Sequence, residues 1–321
     1  MGSTDHADDF SALRALLPEV RQYIRQHAPV NWPDLQKYVL SSLIEEALGP
    51  LAALPLASAA AVGGDMREAI PVAAAWEVLS LSARTLDDLE DQDRPDALWS
   101  EVGLSRAFNF SATLYAFSGK LLAVAPWPAE KYRRISLTFI EESLHLAAGQ
   151  DRDCCSKTRT LEEYWHTIEE KNASAFALAC AAGAQCGTLD SELVNSCRTF
   201  GYHLGLAHQL FDDFEGIWES KDLGDLELGK ITLPLIYGLS IDHKDRDELY
   251  KLISDSNRIQ SAERIRTILD GIHARDFVIW SALQERDLAI AALKDCPGKL
   301  GVEALTAYVT MLFAHIESIL V

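Results

Sequence analysis

The feature that most narrows the fold is an apolar pattern of helical period, rich in alanine and leucine, that stops at turn residues and then starts again. Apolar side chains recurring every three to four residues share one face of a helix, whereas strands alternate at period two. Strong alternating stretches are absent, and Pro29, Pro33, Pro50, Pro71, Pro95, Pro126, Pro128 and Pro297 fall almost entirely between the periodic runs. There a proline can open a helix without breaking its interior. The pattern predicts helices near residues 10–27, 33–48, 51–62, 66–92, 97–124, 128–153, 160–187, 190–219, 231–241, 244–254, 259–272, 274–294 and 299–320. No composition shift, flexible linker or fixed-period repeat divides the chain. The expectation is an all-α protein with an N-terminal helical segment over residues 1–30 and one domain over 31–321.

Charge excludes some functions. The 321 residues carry a formal net charge of −19, which repels nucleic acid and anionic lipid. The longest apolar stretch, Leu51 to Gly63, is broken by Pro55 and Ser58 and falls short of the ~18 residues of a membrane span. No basic and then apolar leader opens the chain, so a cytoplasmic protein is expected, without stable membrane insertion. The six cysteines form no CxxC pair and no zinc-ligand spacing with histidine, and read as reduced thiols.

Against this acidic background, two clusters of carboxylates stand at the ends of apolar helical runs. The first is Asp87-Asp88-Leu89-Glu90-Asp91, in which Asp87 and Asp91 lie one turn apart on a shared face. Aspartate is a poor helix-interior residue and like charges at this spacing are unfavourable, so the cluster needs a reason beyond solubility. The second is Asp212-Asp213-Phe214-Glu215, followed by Lys221 and by Gly229-Lys230-Ile231-Thr232-Leu233-Pro234. Carboxylates on different helices suit hard cations such as Mg²⁺, which keep positions for water and phosphate oxygens. A lysine just before a helix start suits a diphosphate oxygen. Asp87, Asp88, Asp91, Asp212, Asp213 and Glu215 are the candidate metal ligands, and the five aspartates are the candidate catalytic residues. His145, His166, His203 and His208 read as ordinary helix histidines.

In these motifs the chain resembles the polyprenyl synthetase family, the trans-isoprenyl diphosphate synthases, over residues 38–317. Asp87–Asp91 matches the family's first Asp-rich motif, and Gly205 through Asp213, with Gln209, resembles the lead into the second. Gly149-Gln150 with Asp153 resembles a Gly-Gln-x-x-Asp helix. Lys171 stands where the family has Lys-Thr, with Asn172 replacing the threonine. Gly229-Lys230-x-Thr232-Leu233-Pro234 matches the lysine loop. The resemblance implies the isoprenoid-synthase bundle around a hydrophobic tunnel, an allylic prenyl diphosphate substrate, three Mg²⁺ ions and a homodimer. Lys171, Lys230, Gln209, Arg94 and Lys221 are the implied diphosphate-binding residues. Ser82, Ala83, Phe108 and Phe176 are candidate tunnel residues, and the small pair before Asp87 points to substrates or products of C15 to C20 or longer.

The departures bear on the acceptor. The family's early Gly-Lys-x-x-Arg-Pro motif, which binds isopentenyl diphosphate, is replaced by Glu-Glu-Ala-Leu-Gly-Pro-Leu-Ala-Ala over residues 45–53, and no lysine or arginine occurs between Lys37 and Arg67. The paired arginines after the first motif are missing, and Gly216 stands where many members carry a third aspartate. A second diphosphate held without metal needs direct cationic contacts worth about 1.5–3 kcal/mol each. The sequence therefore predicts Mg²⁺-dependent ionisation of a C10–C20 allylic diphosphate with prenyl transfer. The acceptor is isopentenyl diphosphate or an aromatic or peptide group. Cyclisation of farnesyl or geranylgeranyl diphosphate by a class I terpene cyclase is the alternative, and an inactive regulatory subunit is a minor one.

Overall fold

The computed structural model describes residues 6–44, 50–92, 97–155, 160–219, 224–255 and 258–319, and among these every regular element is helical. The helices are α1 (His6–His27), α2 (Pro33–Ile44), α3 (Leu54–Ala61), α4 (Ile70–Asp91), α5 (Leu98–Val102), α6 (Leu104–Ala123), α7 (Ala129–Cys155) and α8 (Leu161–Ile168). They continue with α9 (Ser174–Gly187), α10 (Ser191–Trp218), α11 (Asp225–Leu228), α12 (Leu233–Ser240), α13 (Arg246–Ser254), α14 (Ala262–Gly271), α15 (Ala274–Ala292) and α16 (Lys299–Ile319). Among the described residues no helix is long and apolar enough to cross a membrane.

The chain separates into two compact units, each assembled from non-contiguous stretches. The first takes the chain up to Glu142 with Ala177–Phe200 and Ala292–Leu312; the second takes Ser143–Phe176, Gly201–Ala291 and the chain from Phe313.

In the first unit, α4 is the central helix. Its first turns bury Val72, Ala73, Ala74, Ala75, Val78 and Leu79, and the small residues let α6 approach closely. Phe110 and Leu114 of α6 are fully buried, each worth roughly 1.5–3 kcal/mol by area. Ser82 and Ser111 tie the two helices reciprocally, each hydroxyl donating to the other residue's carbonyl at 2.8 and 2.9 Å. The expected helix 97–124 divides at Gly103, whose φ of 84° belongs to the left-handed region, into α5 and α6.

In the second unit, Ile217, Leu226, Leu235, Leu249, Ile265 and Leu269 form one apolar cluster from α10, α11, α12, α13 and α14. A capping box opens α8: Thr160 Oγ1 accepts the Glu163 N–H at 3.1 Å, and the Glu163 carboxylate accepts the Thr160 N–H at 2.8 Å. The expected single helix 160–187 is interrupted at Glu169–Ala173 by one wide π turn. Such turns insert a residue into a helix and recur at functional sites.

Candidate active site

The second acidic motif closes α10, and its two aspartates have opposite surroundings. Adjacent helix residues point about 100° apart, so one can face water while the next faces the core. The Asp212 side chain is 47% exposed and pairs with His208 Nδ1 at 3.0 Å. Burial alone would lower the His208 pKa, but the Asp212 hydrogen bond and charge, with Glu215 behind them, raise it overall. Glu215 is exposed.

Asp213 is 1% exposed and accepts hydrogen bonds on both oxygens. Gln209 Nε2 donates to Oδ1 at 2.7 Å; Tyr164 Oη and the Leu233 N–H donate to Oδ2 at 2.7 and 2.8 Å. Burial pushes its pKa up to about 7, against the pull of these three donors, and the charge of Asp225 adds to the rise. An aspartate so enclosed acts as an internal brace, unlike the open carboxylate of Asp212.

Gln209 extends the brace, since its Oε1 accepts from Asn172 Nδ2 at 2.7 Å. Asn172 lies in the π turn beside Lys171, whose Nζ pairs with Asp153 Oδ2 at 2.7 Å. Two glycines grip this turn. A Cβ on Gly149 would meet the carbonyl carbon of Glu170 at 2.8 Å, and one on Gly205 would meet Asn172 O at 2.7 Å. The Gly149, Asp153, Lys171 and Gly205 motifs are thus one packing unit that sets the backbone around Lys171. The lysine loop is fixed as firmly. Gly229 adopts φ +78°, the Lys230 N–H donates to Asp225 O at 2.9 Å, and α12 then starts at Leu233 on the Asp213 carboxylate.

In the first unit, Asp87 and Asp88 are half-buried and Asp91 is exposed at the end of α4. The helix stops at Gln92, in the left-handed conformation with φ 49°, whose N–H returns to Asp88 O at 3.1 Å. Ten residues before Asp87, Glu77 is buried, and its pKa is pushed up to about 7 by desolvation against the opposing charge of Arg84.

The candidate tunnel residues differ in their surroundings. Ser82 is 6% exposed and bound to Ser111 between α4 and α6, and Ala83 is half-buried beside it. Phe108 is 62% exposed, at the surface of α6, because it sits on the face opposite the one that carries Phe110 and Leu114 inward. Phe176 is buried and tilted against His208, ring centroids 5.3 Å apart. Arg94 and Lys221 lie outside the described residues, as do residues 45–49 of the altered early motif. Tyr164 and Asp225 escaped the sequence reading, and Asn172 enters it only as the replacement for a threonine. The Thr160 capping box marks where α8 starts but not what Tyr164 meets, and nothing local to Asp225 signals its contacts. Among the described residues no three His, Cys, Asp or Glu side chains gather closely enough to hold a metal by themselves.

The profile of the family described as Polyprenyl synthetase matches residues 50–272. The geranylgeranyl diphosphate synthase of Mycobacterium tuberculosis is 32% identical over 260 residues, 76% of this chain and 74% of that protein. Among solved structures, geranylgeranyl pyrophosphate synthetase from Pyrococcus horikoshii superposes with a TM-score of 0.85 at 24% identity, covering 95% of this chain and 98% of the other. A polyprenyl synthase from Caulobacter crescentus, complexed with calcium and isoprenyl diphosphate, gives 0.83 at 22% identity, covering 97% and 98%.

Proposed function

This chain belongs to the polyprenyl synthetase family, and on that premise we propose that it ionises an allylic prenyl diphosphate of C10–C20 with Mg²⁺, releases diphosphate and passes the prenyl group to an acceptor. The prenyltransferase class follows the family. The observation that carries the rest is the braced pair of cationic segments beside an open carboxylate: Lys171 on the gripped π turn, Lys230 on the capped loop, and Asp212 exposed on α10.

Asp87, Asp88, Asp91, Asp212 and Glu215 would hold the metal. Their donors are all hard carboxylate oxygens, the chemistry Mg²⁺ prefers. Mg²⁺ held by carboxylates keeps positions for water and for a substrate's phosphate oxygens. Bound there, Mg²⁺ supplies charge stabilisation for the departing diphosphate. Lys171 and Lys230 bind the same group as point charges, and the Asp213–Gln209–Asn172 chain holds the backbone of both segments in place. The Caulobacter polyprenyl synthase that shares this fold is complexed with a divalent cation, calcium, and isoprenyl diphosphate.

The second reading is cyclisation. The stretch between Lys37 and Arg67 offers no cation to a second diphosphate, which favours an acceptor inside the same substrate. One experiment separates the readings: incubation with Mg²⁺ and geranyl, farnesyl or geranylgeranyl diphosphate, with and without isopentenyl diphosphate. A longer diphosphate formed only with isopentenyl diphosphate identifies a synthase, and a hydrocarbon or alcohol formed without it identifies a cyclase. No diphosphate release from any of the three refutes both.

We further infer a homodimer. Leu104, Phe108 and Tyr115 share one exposed face of α6, and Leu137 and Ile140 one exposed face of α7. Apolar faces of that kind mark association surfaces.

A further inference from the structure

Two cysteines far apart in sequence meet in the first compact unit, outside both acidic motifs. Cys197 is fully buried in the second turn of α10, and Cys296 is half-buried in the 293–298 loop between α15 and α16. Their thiols are in hydrogen-bond contact, and Cys197 Sγ also stands 3.9 Å from Ser58 O of α3. The loop is held where it lies. The Cys296 N–H donates to Leu293 O at 3.0 Å, and the Gly298 N–H donates to Ala61 O at 2.8 Å. Only glycine fits at 298, since a Cβ there would meet the carbonyl carbon of Ala60 at 2.8 Å.

The two sulfurs are chemically unlike. The Cys197 hydrogen bond holds the Cys296 pKa below that of an ordinary thiol, against partial burial and the charge of Asp295. The same bond, with burial, pushes the Cys197 pKa well up. Cys296 is thus the better nucleophile and within reach of a small oxidant, with a protonated thiol directly behind it. The other four thiols are placed differently. Desolvation pushes Cys180 and Cys186 up to about 12. Cys154 and Cys155 are exposed neighbours, whose Cα atoms, about 3.8 Å apart, are too close for an ordinary disulfide.

We propose that Cys296 and Cys197 are a peroxide-oxidisable dithiol that closes into a reversible disulfide and staples the loop before α16 to α10. The Cys296 thiolate attacks one oxygen of hydrogen peroxide and the O–O bond breaks. The departing hydroxide takes a proton and leaves as water, with Cys296 now a sulfenic acid. The Cys197 sulfur then attacks the Cys296 sulfur. The S–O bond breaks, the S–S bond forms, and hydroxide leaves with the Cys197 proton as a second water. Two thiols are oxidised and one peroxide is reduced. The bond closes a ring of about a hundred residues, which strongly restricts the unfolded chain. None of this depends on the metal reading of the acidic motifs.

The test treats the reduced full chain with a slight excess of hydrogen peroxide, alkylates the remaining thiols and digests with trypsin and a glutamate-specific protease. Cleavage after Glu192 separates Cys197 from Cys180 and Cys186. The expected result is a peptide pair linked through Cys197 and Cys296 in the mass spectrum, lost on treatment with dithiothreitol. The melting temperature should rise by several degrees on oxidation and return on reduction. Cys296→Ser, a change at a half-buried loop position, should form no link and show no rise. In Cys197→Ser, Cys296 should stop at the sulfenic acid and be trapped by dimedone. A wild type whose Cys197 and Cys296 are both recovered alkylated, or whose Cys296 links to a different cysteine, would overturn the pairing. A Cys197–Cys296 link that leaves the melting temperature unchanged would overturn the staple.

Discussion

The backbone N–H of Leu233 donates to the carboxylate of Asp213 at 2.8 Å, so a buried aspartate twenty residues upstream caps α12, while the adjacent Thr232 makes no side-chain cap. A carboxylate at a helix N-terminus meets both unsatisfied N–H groups and the positive end of the helix dipole. The end of the lysine loop is thereby fixed to the acidic motif, while its start is held back on α11 by the Lys230 N–H on Asp225 O.

Tyr164→Phe removes one of the three donors to Asp213 while keeping the ring packed. Stability should fall by about 1–3 kcal/mol, because a buried acceptor loses a partner. KM for the allylic diphosphate should rise more than kcat falls, since the loop moves and the metal ligands do not. Urea unfolding and steady-state kinetics check this, and an unchanged KM would separate the brace from substrate binding.

Neighbouring aspartates should respond differently to the same change. Asp212→Asn alters an exposed group, so stability should stay within about 0.5 kcal/mol while diphosphate release falls on the order of a hundredfold or more. Asp213→Asn should lower stability by about 1–3 kcal/mol, because the amide cannot accept three hydrogen bonds as the carboxylate does. Asp87→Asn should resemble Asp212→Asn, and chelation of divalent ions should abolish release in the wild type. Circular dichroism melts with a diphosphate-release assay distinguish these patterns.

Glu77 makes stability depend on pH. Its folded-state pKa, raised to about 7, exceeds the value near 4.5 of an ordinary glutamate, so the folded chain binds more protons between those two values. Stability is then greatest below the lower value and is lost as pH rises through 7. Glu77→Gln should flatten this dependence and stabilise the protein at pH 8 by up to about 3 kcal/mol. Denaturant titrations at pH 5 and pH 8 read the difference, and equal pH slopes for variant and wild type would exclude Glu77 as its source.

If the exposed faces of α6 and α7 join two copies, Phe108→Glu and Ile140→Glu should each shift the sedimentation coefficient from dimer toward monomer without changing helix content. A monomeric wild type would refute the homodimer.

Much of the fold is written in the apolar period. The run before Asp87 becomes α4 and the run before Asp212 becomes α10, each ending where the acidic motif and a turn residue say it should. Short-range periodicity does not reveal the partners of a side chain. Ser82 reads as a small residue one turn before a motif, and its hydroxyl is instead spent on Ser111. Asp212 and Asp213 are indistinguishable as a pair of letters; only the helix phase, set by what α10 packs against, sends one out and the other in. The four-residue α11 is too short to show a period at all, which is why Asp225 went unseen.

The wide turn at Glu169–Ala173 also behaves as a phase shifter. Each helix residue rotates the chain by about 100°, so the extra residue in that turn decides which way all of α9 faces, from Phe176 to Cys186. Point changes there can be absorbed locally. Deleting a single residue would instead spin α9 about its own axis, leaving Lys171 in place while every side chain beyond it met the wrong neighbours.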